Sequence, residues 1–174
     1  QHSCWTLVWL RVRPRAAELS TRIRSTDTWS RNARTPRCFE RPPNWALSPW
    51  AVKTYLLGGK LKNGFEVTPK YIGKERLIEI AVATLATDRA LLLYGVPGTA
   101  KSWVSEHLAA AIAGDSTLMI QGTAGTDESA IRYGWNYARL LAEGPSEAAL
   151  VKSPMLNAMR DGKIARFEEL TRIP

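Results

Sequence analysis

The stretch that decides the fold is "GVPGTAKS", which runs from Gly95 to Ser102. It follows the apolar run "ALLLY" and precedes "WVSEHLAAAIAG", whose composition is typical of a helix. The pattern G-x-x-x-x-G-K-[S/T] between a strand and a helix is that of a phosphate-binding loop. Ala100 departs from the pattern, since it stands where the second glycine is usual. The stretch therefore predicts a phosphate-binding loop with one unusual position.

The residue types of this loop have physical reasons. Gly95 lets the chain leave the strand sharply, and Gly98 keeps side chains out of the space that phosphates need. Consecutive backbone N–H groups and the positive end of the helix then face an anion. Lys101 is expected to reach the β- and γ-phosphates, and the Ser102 hydroxyl to hold Mg²⁺. Alanine disfavours a positive φ, so Ala100 fits most easily with a helical dihedral. The predicted nucleotide-binding loop comprises Gly95, Val96, Pro97, Gly98, Thr99, Ala100, Lys101 and Ser102. The alternative is a glycine-containing turn with a surface lysine.

Helices and strands alternate around the loop. The stretch "KERLIEIAVATLATD" has the apolar spacing of an amphipathic helix. That spacing places on one face Leu77, Ile78, Ala81, Val82 and Leu85. A second helix is predicted from Lys101 to Ile112, with Gly114 as its stop. Short apolar runs predict strands at Ala90–Tyr94, Thr117–Gln121 and Lys163–Phe167. This order predicts an α/β domain with a parallel sheet.

The last predicted strand ends in two adjacent carboxylates, Glu168 and Glu169. Neighbouring residues on a strand point to opposite faces, so the two groups can have different roles. One is suited to the Mg²⁺ shell and the other to polarising water. A charged exit from a surface strand explains the pair equally well.

The first 48 residues differ from the remainder in composition. Residues 1–50 hold nine Arg, no Lys and three acidic residues, together with five of the seven Trp. Prolines are scattered through them and no helix or strand period is sustained. We predict a disordered or foreign basic leader over 1–48 and the folded part over 49–174. The alternative is an arm that binds nucleic acid through phosphate contacts and stacking.

Several other classes of protein are disfavoured by the sequence. No apolar run approaches the roughly 18 residues of a membrane span, and the opening "CWTLVWL" lacks the basic leader of a secretory signal. Cys4 and Cys38 form neither a disulfide framework nor a metal spacing, so a reduced, cytoplasmic chain is expected. His2 and His107 have no partners at metal-ligand spacing. We therefore expect no metal site beyond the Mg²⁺ of a nucleotide.

Three separated stretches resemble the MoxR branch of the AAA+ ATPases. They are "YIGKERLIEIAVATLATDRALLLYGVPGTAKS" from Tyr71, "IQGTAGTDESAIRYGWNYARLL" from Ile120 and "SPMLNAMRDGKIARFEELTRIP" from Ser153. That branch has an upstream Ile-Gly, a Walker A loop that often carries alanine before the lysine, and a Walker B segment D-E-I-N-R-A-P. The last segment stands here as "EELTRIP". The resemblance covers roughly residues 52–174.

The resemblance implies a fold and a role for each matching residue. The fold is the three-layer P-loop NTPase core with a parallel sheet, incomplete at the C-terminus. Ile72 and Gly73 are expected near the adenine, and Lys101 at the phosphates. Glu169 matches the catalytic glutamate that positions water, and Glu168 replaces the metal-binding aspartate of Walker B. Arg166 also departs from the family, whose strand is apolar at this position, and a buried charge there is costly unless it is paired.

The resemblance also implies a function. A complete member is an ATP hydrolase that uses ATP and Mg²⁺ and forms a ring, probably hexameric, acting as a chaperone that remodels or matures partner proteins. Clients with a von Willebrand A domain are typical. The alternatives are another P-loop NTPase, such as a kinase or GTPase, and a binding-only fragment with a nucleic-acid-binding arm. A GTPase would need N-K-x-D to specify guanine, and no such run exists here.

Two further expectations follow. Tyr133, Trp135 and Tyr137 alternate as on a strand; they either pack internally, or lie on a loop that grips a client at the ring pore. The family sheet runs 5-1-4-3-2, and the chain supplies candidates for its first three strands only. We therefore expect that the phosphate-loop strand has lost both neighbours, and that the 174-residue chain is poorly stable and inactive as an ATPase.

Overall fold

A four-stranded sheet carries the phosphate loop. The computed structural model describes residues 4–9, 41–61, 64–87 and 89–173. Its strands are β1 (Cys4–Trp9), β2 (Gly59–Lys60), β3 (Glu66–Val67), β4 (Leu91–Gly95), β5 (Met119–Gln121), β6 (Tyr133–Trp135), β7 (Leu150–Lys152) and β8 (Ala165–Glu168). Its α-helices are α1 (Pro49–Leu57), α2 (Glu75–Ala86), α3 (Lys101–Ala113), α4 (Glu128–Ile131), α5 (Tyr137–Glu143) and α6 (Pro154–Asp161).

The main sheet has the strand order β4-β1-β8-β5. β5 and β8 pair in parallel, with Ile120 opposite Phe167. β1 is antiparallel to both of its neighbours, so β4 and β8 run in the same direction with one strand between them. The three strands predicted from apolar runs are thus present and co-directional, each within two residues of its predicted bounds. The chain has a P-loop NTPase-like α/β fold.

β1 was not predicted from the sequence. Residues 1–48 were expected to form a leader without secondary structure, yet Cys4–Trp9 forms the second strand of the sheet. A strand there provides backbone partners for the facing edges of β4 and β8, which would otherwise leave N–H and C=O groups unpaired. Within the expected leader, residues 1–3 and 10–40 lie outside the described residues.

The pairing of β1 also corrects the expectation for the phosphate-loop strand. We expected β4 to have lost both neighbours, but β1 pairs with it from Cys4 opposite Gly95 to Val8 opposite Leu91. β1 occupies the position that strand four has in the family order, although it runs in the opposite direction. One edge of β4 is therefore satisfied, while low stability and inactivity of this chain remain predictions.

The hydrophobic core lies between helices α1, α2 and α3 and the adjoining face of β4. Its fully buried side chains include Val52, Leu56, Ile78 and Leu108. The predicted apolar face of α2 is confirmed except at Leu77, which is 42% exposed. Its other predicted members are buried, namely Ile78, Ala81, Val82 and Leu85.

The chain joins this core before the predicted boundary at residue 49. Trp45 is buried in the core, and the N–H of Ala46 donates to the carbonyl of Ile112 at the end of α3 (2.6 Å). Ser48 then caps α1, and Pro49 occupies its first turn, a position that proline tolerates well.

The aromatic stretch after β5 forms a separate two-stranded sheet, β6 with β7, in which Gly134 lies opposite Val151. The predicted strand alternation holds for Tyr133 and Trp135, whose rings contact each other edge to face. It fails at Tyr137, because Asn136 caps α5 by accepting the N–H of Arg139 and Tyr137 becomes the first helical residue. Tyr137 is largely exposed, so internal packing does not explain it.

Candidate functional site

The phosphate loop lies between the end of β4 and the start of α3, as predicted. Gly98 has φ +82°, a conformation that favours glycine, and among the described residues other than its chain neighbours no atom lies within 4 Å of where a Cβ would stand. The space in front of this residue is therefore open. A Cβ on Gly95 would meet only Thr99 Oγ1 at 3.5 Å, an ordinary contact, so crowding does not require glycine there.

Ala100 adopts the left-handed conformation, with φ 56° and ψ 28°. Ala100 thus does not take the helical dihedral that would suit an alanine at this position. An alanine in this region costs roughly 1–2 kcal/mol. This backbone strain lies within the loop of Gly95–Ser102, and such strain is common at binding sites.

The N-terminus of α3 is arranged to accept an anion. Its N-cap residue Ala100 provides no side-chain hydrogen bond to the first turn. Four other helices begin with a side chain that accepts a backbone N–H, those of Ser48, Asp127, Asn136 and Ser153. Together with the open space at Gly98, this leaves a positive helix end suited to phosphate.

Lys101 crosses the loop from the first turn of α3. Its side chain is buried, and Nζ donates to the carbonyl of Val96 (2.6 Å) and to Thr99 Oγ1 (3.1 Å). Thr99 Oγ1 donates to the same carbonyl of Val96 (2.9 Å). The ammonium is therefore held inside the curve of the loop, where its charge adds to that of the helix end. Ser102 follows and is exposed.

The two glutamates lie at the end of β8, at the same edge of the sheet as the loop. Leu93 of β4 and Glu168 of β8 both stand opposite Thr6 of β1, so β4 extends to Gly95, two residues past the level at which β8 ends. Two strand spacings, about 10 Å, separate them. In parallel sheets, ligands bind at the carboxyl ends of the strands.

We expected Glu168 and Glu169 to point to opposite faces of one strand, but only Glu168 belongs to the strand. Glu168 is the last residue of β8 and its side chain is 16% exposed, with Oε1 accepting from Arg166 Nη1 (2.9 Å). Glu169 leaves the strand with φ 54° and ψ 40°, and its carboxylate pairs with Arg172 Nε (3.1 Å). The left-handed backbone at Glu169 places strain at the predicted catalytic residue.

Gly122 supports this corner and was not predicted as part of the site. Its N–H donates to the carbonyl of Glu168 (2.8 Å). A Cβ on Gly122 would lie 3.0 Å from that carbonyl oxygen and closer still to the carbonyl oxygen of Glu169. The only sequence signal was a glycine directly after the strand β5.

We expect Gly122→Ala to lower the melting temperature by about 5–10 °C, since forcing backbone apart costs roughly 1–3 kcal/mol. The measurement is thermal unfolding followed by circular dichroism. Gly125→Ala in the same loop is the matched control, because its Cβ would meet only Thr123 Oγ1 at 4.0 Å. Equal losses in the two variants would contradict a close approach at Gly122.

An apolar groove of about 640 Å³ adjoins the phosphate loop. It is lined by Tyr71, by the exposed face of α2 at Leu77 and Ile80, by β4, and by Thr99 and Lys101. Ile72 and Gly73, predicted to lie near the adenine, line a neighbouring cavity of about 510 Å³ instead. Tyr71 lines both cavities and connects them. Sequence reasoning missed Tyr71, Leu77 and Ile80 as residues beside the loop.

Polar contacts are made by the middle of α3, the helix that carries the loop, and by the chain just beyond its C-terminus. His107 lies between Trp103 and Tyr55, whose hydroxyl is 3.0 Å from His107 Nδ1, and burial holds the pKa of this histidine below its usual range. Beyond α3, Asp115 accepts from the hydroxyl and N–H of Thr117 and from Lys163 Nζ. These bonds, that of the Thr117 hydroxyl foremost, lower the pKa of Asp115 to about 2.

Comparisons with known proteins place part of the chain beside a described family of domains. Residues 90–174 match the AAA domain of the dynein-related subfamily. Over 133 residues, 76% of this chain, the sequence is 51% identical to YehL of Escherichia coli (strain K12). The matched segment spans 36% of the length of that relative. No solved structure matches. Among the described residues, no helix is long and apolar enough to cross a membrane.

Proposed function

From the AAA domain that residues 90–174 match, we propose that this chain is the nucleotide-binding part of an AAA+ ATPase of the MoxR type. One observation carries the proposal: the loop of Gly95–Ser102 and the pair Glu168–Glu169 follow the carboxyl ends of co-directional strands, at the same edge of the sheet. A phosphate loop alone is a binding site, and hydrolysis needs an acidic pair near it.

The residues fit ATP and Mg²⁺. The loop offers an open space at Gly98, a helix end without a side-chain cap at Ala100, and a buried ammonium at Lys101. Lys101 would bind the β- and γ-phosphates, and Ser102 with Glu168 would hold Mg²⁺. When bound, Mg²⁺ neutralises charge on the phosphates. Glu169 would orient and polarise the attacking water, because its left-handed backbone directs its side chain away from the alternating faces of β8.

The activity of the whole protein belongs to this proposal as well. We propose an assembly into a ring, with a hexamer as the expected form, in which ATP hydrolysis remodels or matures a client protein in the cytoplasm. A client with a von Willebrand A domain fits the MoxR resemblance. Tyr137 and Leu141 on α5, both largely exposed, provide apolar surface for such a client.

Calorimetric titration of ATP with Mg²⁺ into this chain tests the assignment. We expect one bound ATP per chain and weaker binding of GTP, since no guanine-specifying run is present. A titration with single-stranded DNA is the control for the basic N-terminal segment. Binding of DNA without any binding of ATP would contradict the proposal and favour a nucleic-acid-binding arm.

A further inference from the structure

A charged side chain lies inside β8, where packing alone would favour an apolar residue. Arg166 is 5% exposed, between the buried residues Ala165 and Phe167. The MoxR resemblance also predicts an apolar residue here. A buried charge is costly unless it is paired, so its partners indicate its role.

The guanidinium of Arg166 bonds to three parts of the chain. Nη1 donates to Ser105 Oγ on α3 (3.1 Å) and to Glu168 Oε1 (2.9 Å). Nη2 donates to the carbonyl of Ser116 (2.9 Å), and Nε has no hydrogen-bond partner among the described residues. A buried ion pair with one donor unsatisfied is weak support for stability, because a well-packed apolar residue often serves as well. Stability therefore does not account for the arginine.

The bonds connect the phosphate-loop helix to the glutamate at the sheet edge. Arg166 and Glu168 lie two residues apart and so share one face of β8. Ser105 is fully buried, one turn after Lys101, and its Oγ donates to the carbonyl of Ser102 (2.8 Å). A continuous series of hydrogen bonds thus runs from the backbone carbonyl of Ser102 through Ser105 and Arg166 to Glu168. Its two ends are the residues that would hold Mg²⁺.

We propose that Arg166 is a positioning residue that fixes the Glu168 carboxylate relative to Ser102 and thereby sets the affinity for Mg²⁺ in the nucleotide complex. Glutamate is one methylene longer than the usual Walker B aspartate and has one more rotatable bond. Arg166 restricts that freedom by holding Oε1, and Oε2 would then be the oxygen available to hold Mg²⁺. This inference rests on the proposed function.

The test is ATP binding measured by calorimetry at increasing Mg²⁺ concentrations. The Mg²⁺ midpoint is the Mg²⁺ concentration at which half of the increase in ATP affinity is reached. We expect Arg166→Met to raise this midpoint about tenfold, which is the scale of losing a group that orients a metal ligand. ATP affinity without Mg²⁺ should stay unchanged, since Arg166 does not touch the loop. An unchanged Mg²⁺ midpoint would overturn the inference.

A double substitution separates positioning from a general loss of packing. Glu168→Asp alone should also raise the Mg²⁺ midpoint, because the shorter side chain falls short of Arg166 and leaves its buried charge without that partner. Arg166→Met combined with Glu168→Asp restores the apolar residue and aspartate that the family resemblance predicts. We expect its midpoint to return to within about threefold of wild type, and additive losses would contradict the inference.

Two further variants keep the test decisive if Arg166→Met does not fold. Ser105→Ala removes one bond of the series and should raise the midpoint about threefold even where Arg166→Met does not fold. Lys163→Met, which breaks the ion pair with Asp115 just before β8, is the matched control and should leave the midpoint unchanged. ATP binding by Lys101→Ala equal to wild type would refute the proposed function itself. Loss of binding in Lys101→Ala with an unchanged midpoint in Arg166→Met would refute this inference alone.

Discussion

Replacing Lys101 with alanine is expected to weaken ATP binding at least about a hundredfold. The substitution removes the buried ammonium that lies within the curve of the loop and bonds to Val96 and Thr99. It would delete the charge-assisted bond that we propose between Lys101 and phosphate, and it would loosen the loop that presents the backbone N–H groups. A hundredfold loss corresponds to about 2.7 kcal/mol, within the range for a charged hydrogen bond. Calorimetric titration of ATP measures it directly.

Lys163→Ala is the matched control for this measurement. It also removes a lysine that pairs with a carboxylate, but Asp115 and Lys163 lie at the opposite end of β8 from the glutamates. We expect its ATP affinity to equal that of wild type within about twofold, because independent distant sites seldom couple. Equal affinity in Lys101→Ala and wild type would show that the loop of Gly95–Ser102 is a structural turn.

The central elements of the fold could be predicted because their signals are local. The apolar runs of β4, β5 and β8 are short and bounded by glycine or charge, and the spacing in α2 gives a helical face. The exposed Leu77 is the exception on that face, because it borders the groove beside the loop instead of the core. Local sequence patterns were therefore sufficient to predict these helices and strands and the end of the sheet at which the candidate site lies.

β1 could not be predicted, because its reason for forming is not local. Cys4–Trp9 is short and lies in a segment rich in arginine and proline, and it gains its backbone partners only from β4 and β8. Those strands follow it by more than eighty residues in the sequence. β1 also runs antiparallel to both of its neighbours, whereas the family resemblance implies a parallel strand at that position.

The details of the site were missed where backbone conformation decides them. Ala100 and Glu169 both take left-handed dihedrals, although neither residue type favours them. Gly122 and Arg166 act through contacts with residues distant in sequence, the carbonyl oxygens of Glu168 and Glu169 for the first and Ser105 for the second. Residue type predicted which groups could act on a nucleotide, and tertiary contacts determine how they are held.

The second large effect is expected on ATP hydrolysis, when Glu169 at the left-handed turn is replaced. In a protein extended to the length of its YehL relative, we expect Glu169→Gln to lower ATP turnover about a hundredfold or more, the scale of removing a general base. Glutamine keeps the size of the side chain and an oxygen for Arg172, so ATP binding should stay within about twofold of wild type. Turnover is measured as phosphate release and binding by calorimetry.

Glu143→Gln, at the exposed end of α5, makes the same chemical change away from the site and should leave both quantities unchanged. Arg172→Gln distinguishes the role of the ion pair from that of the carboxylate. If Arg172 only orients Glu169, its loss should lower turnover far less than the loss of the carboxylate, because the strained backbone still directs the side chain out of the strand. Wild-type turnover in Glu169→Gln would assign water activation to another group at this edge, and Glu168 would then be the residue to replace.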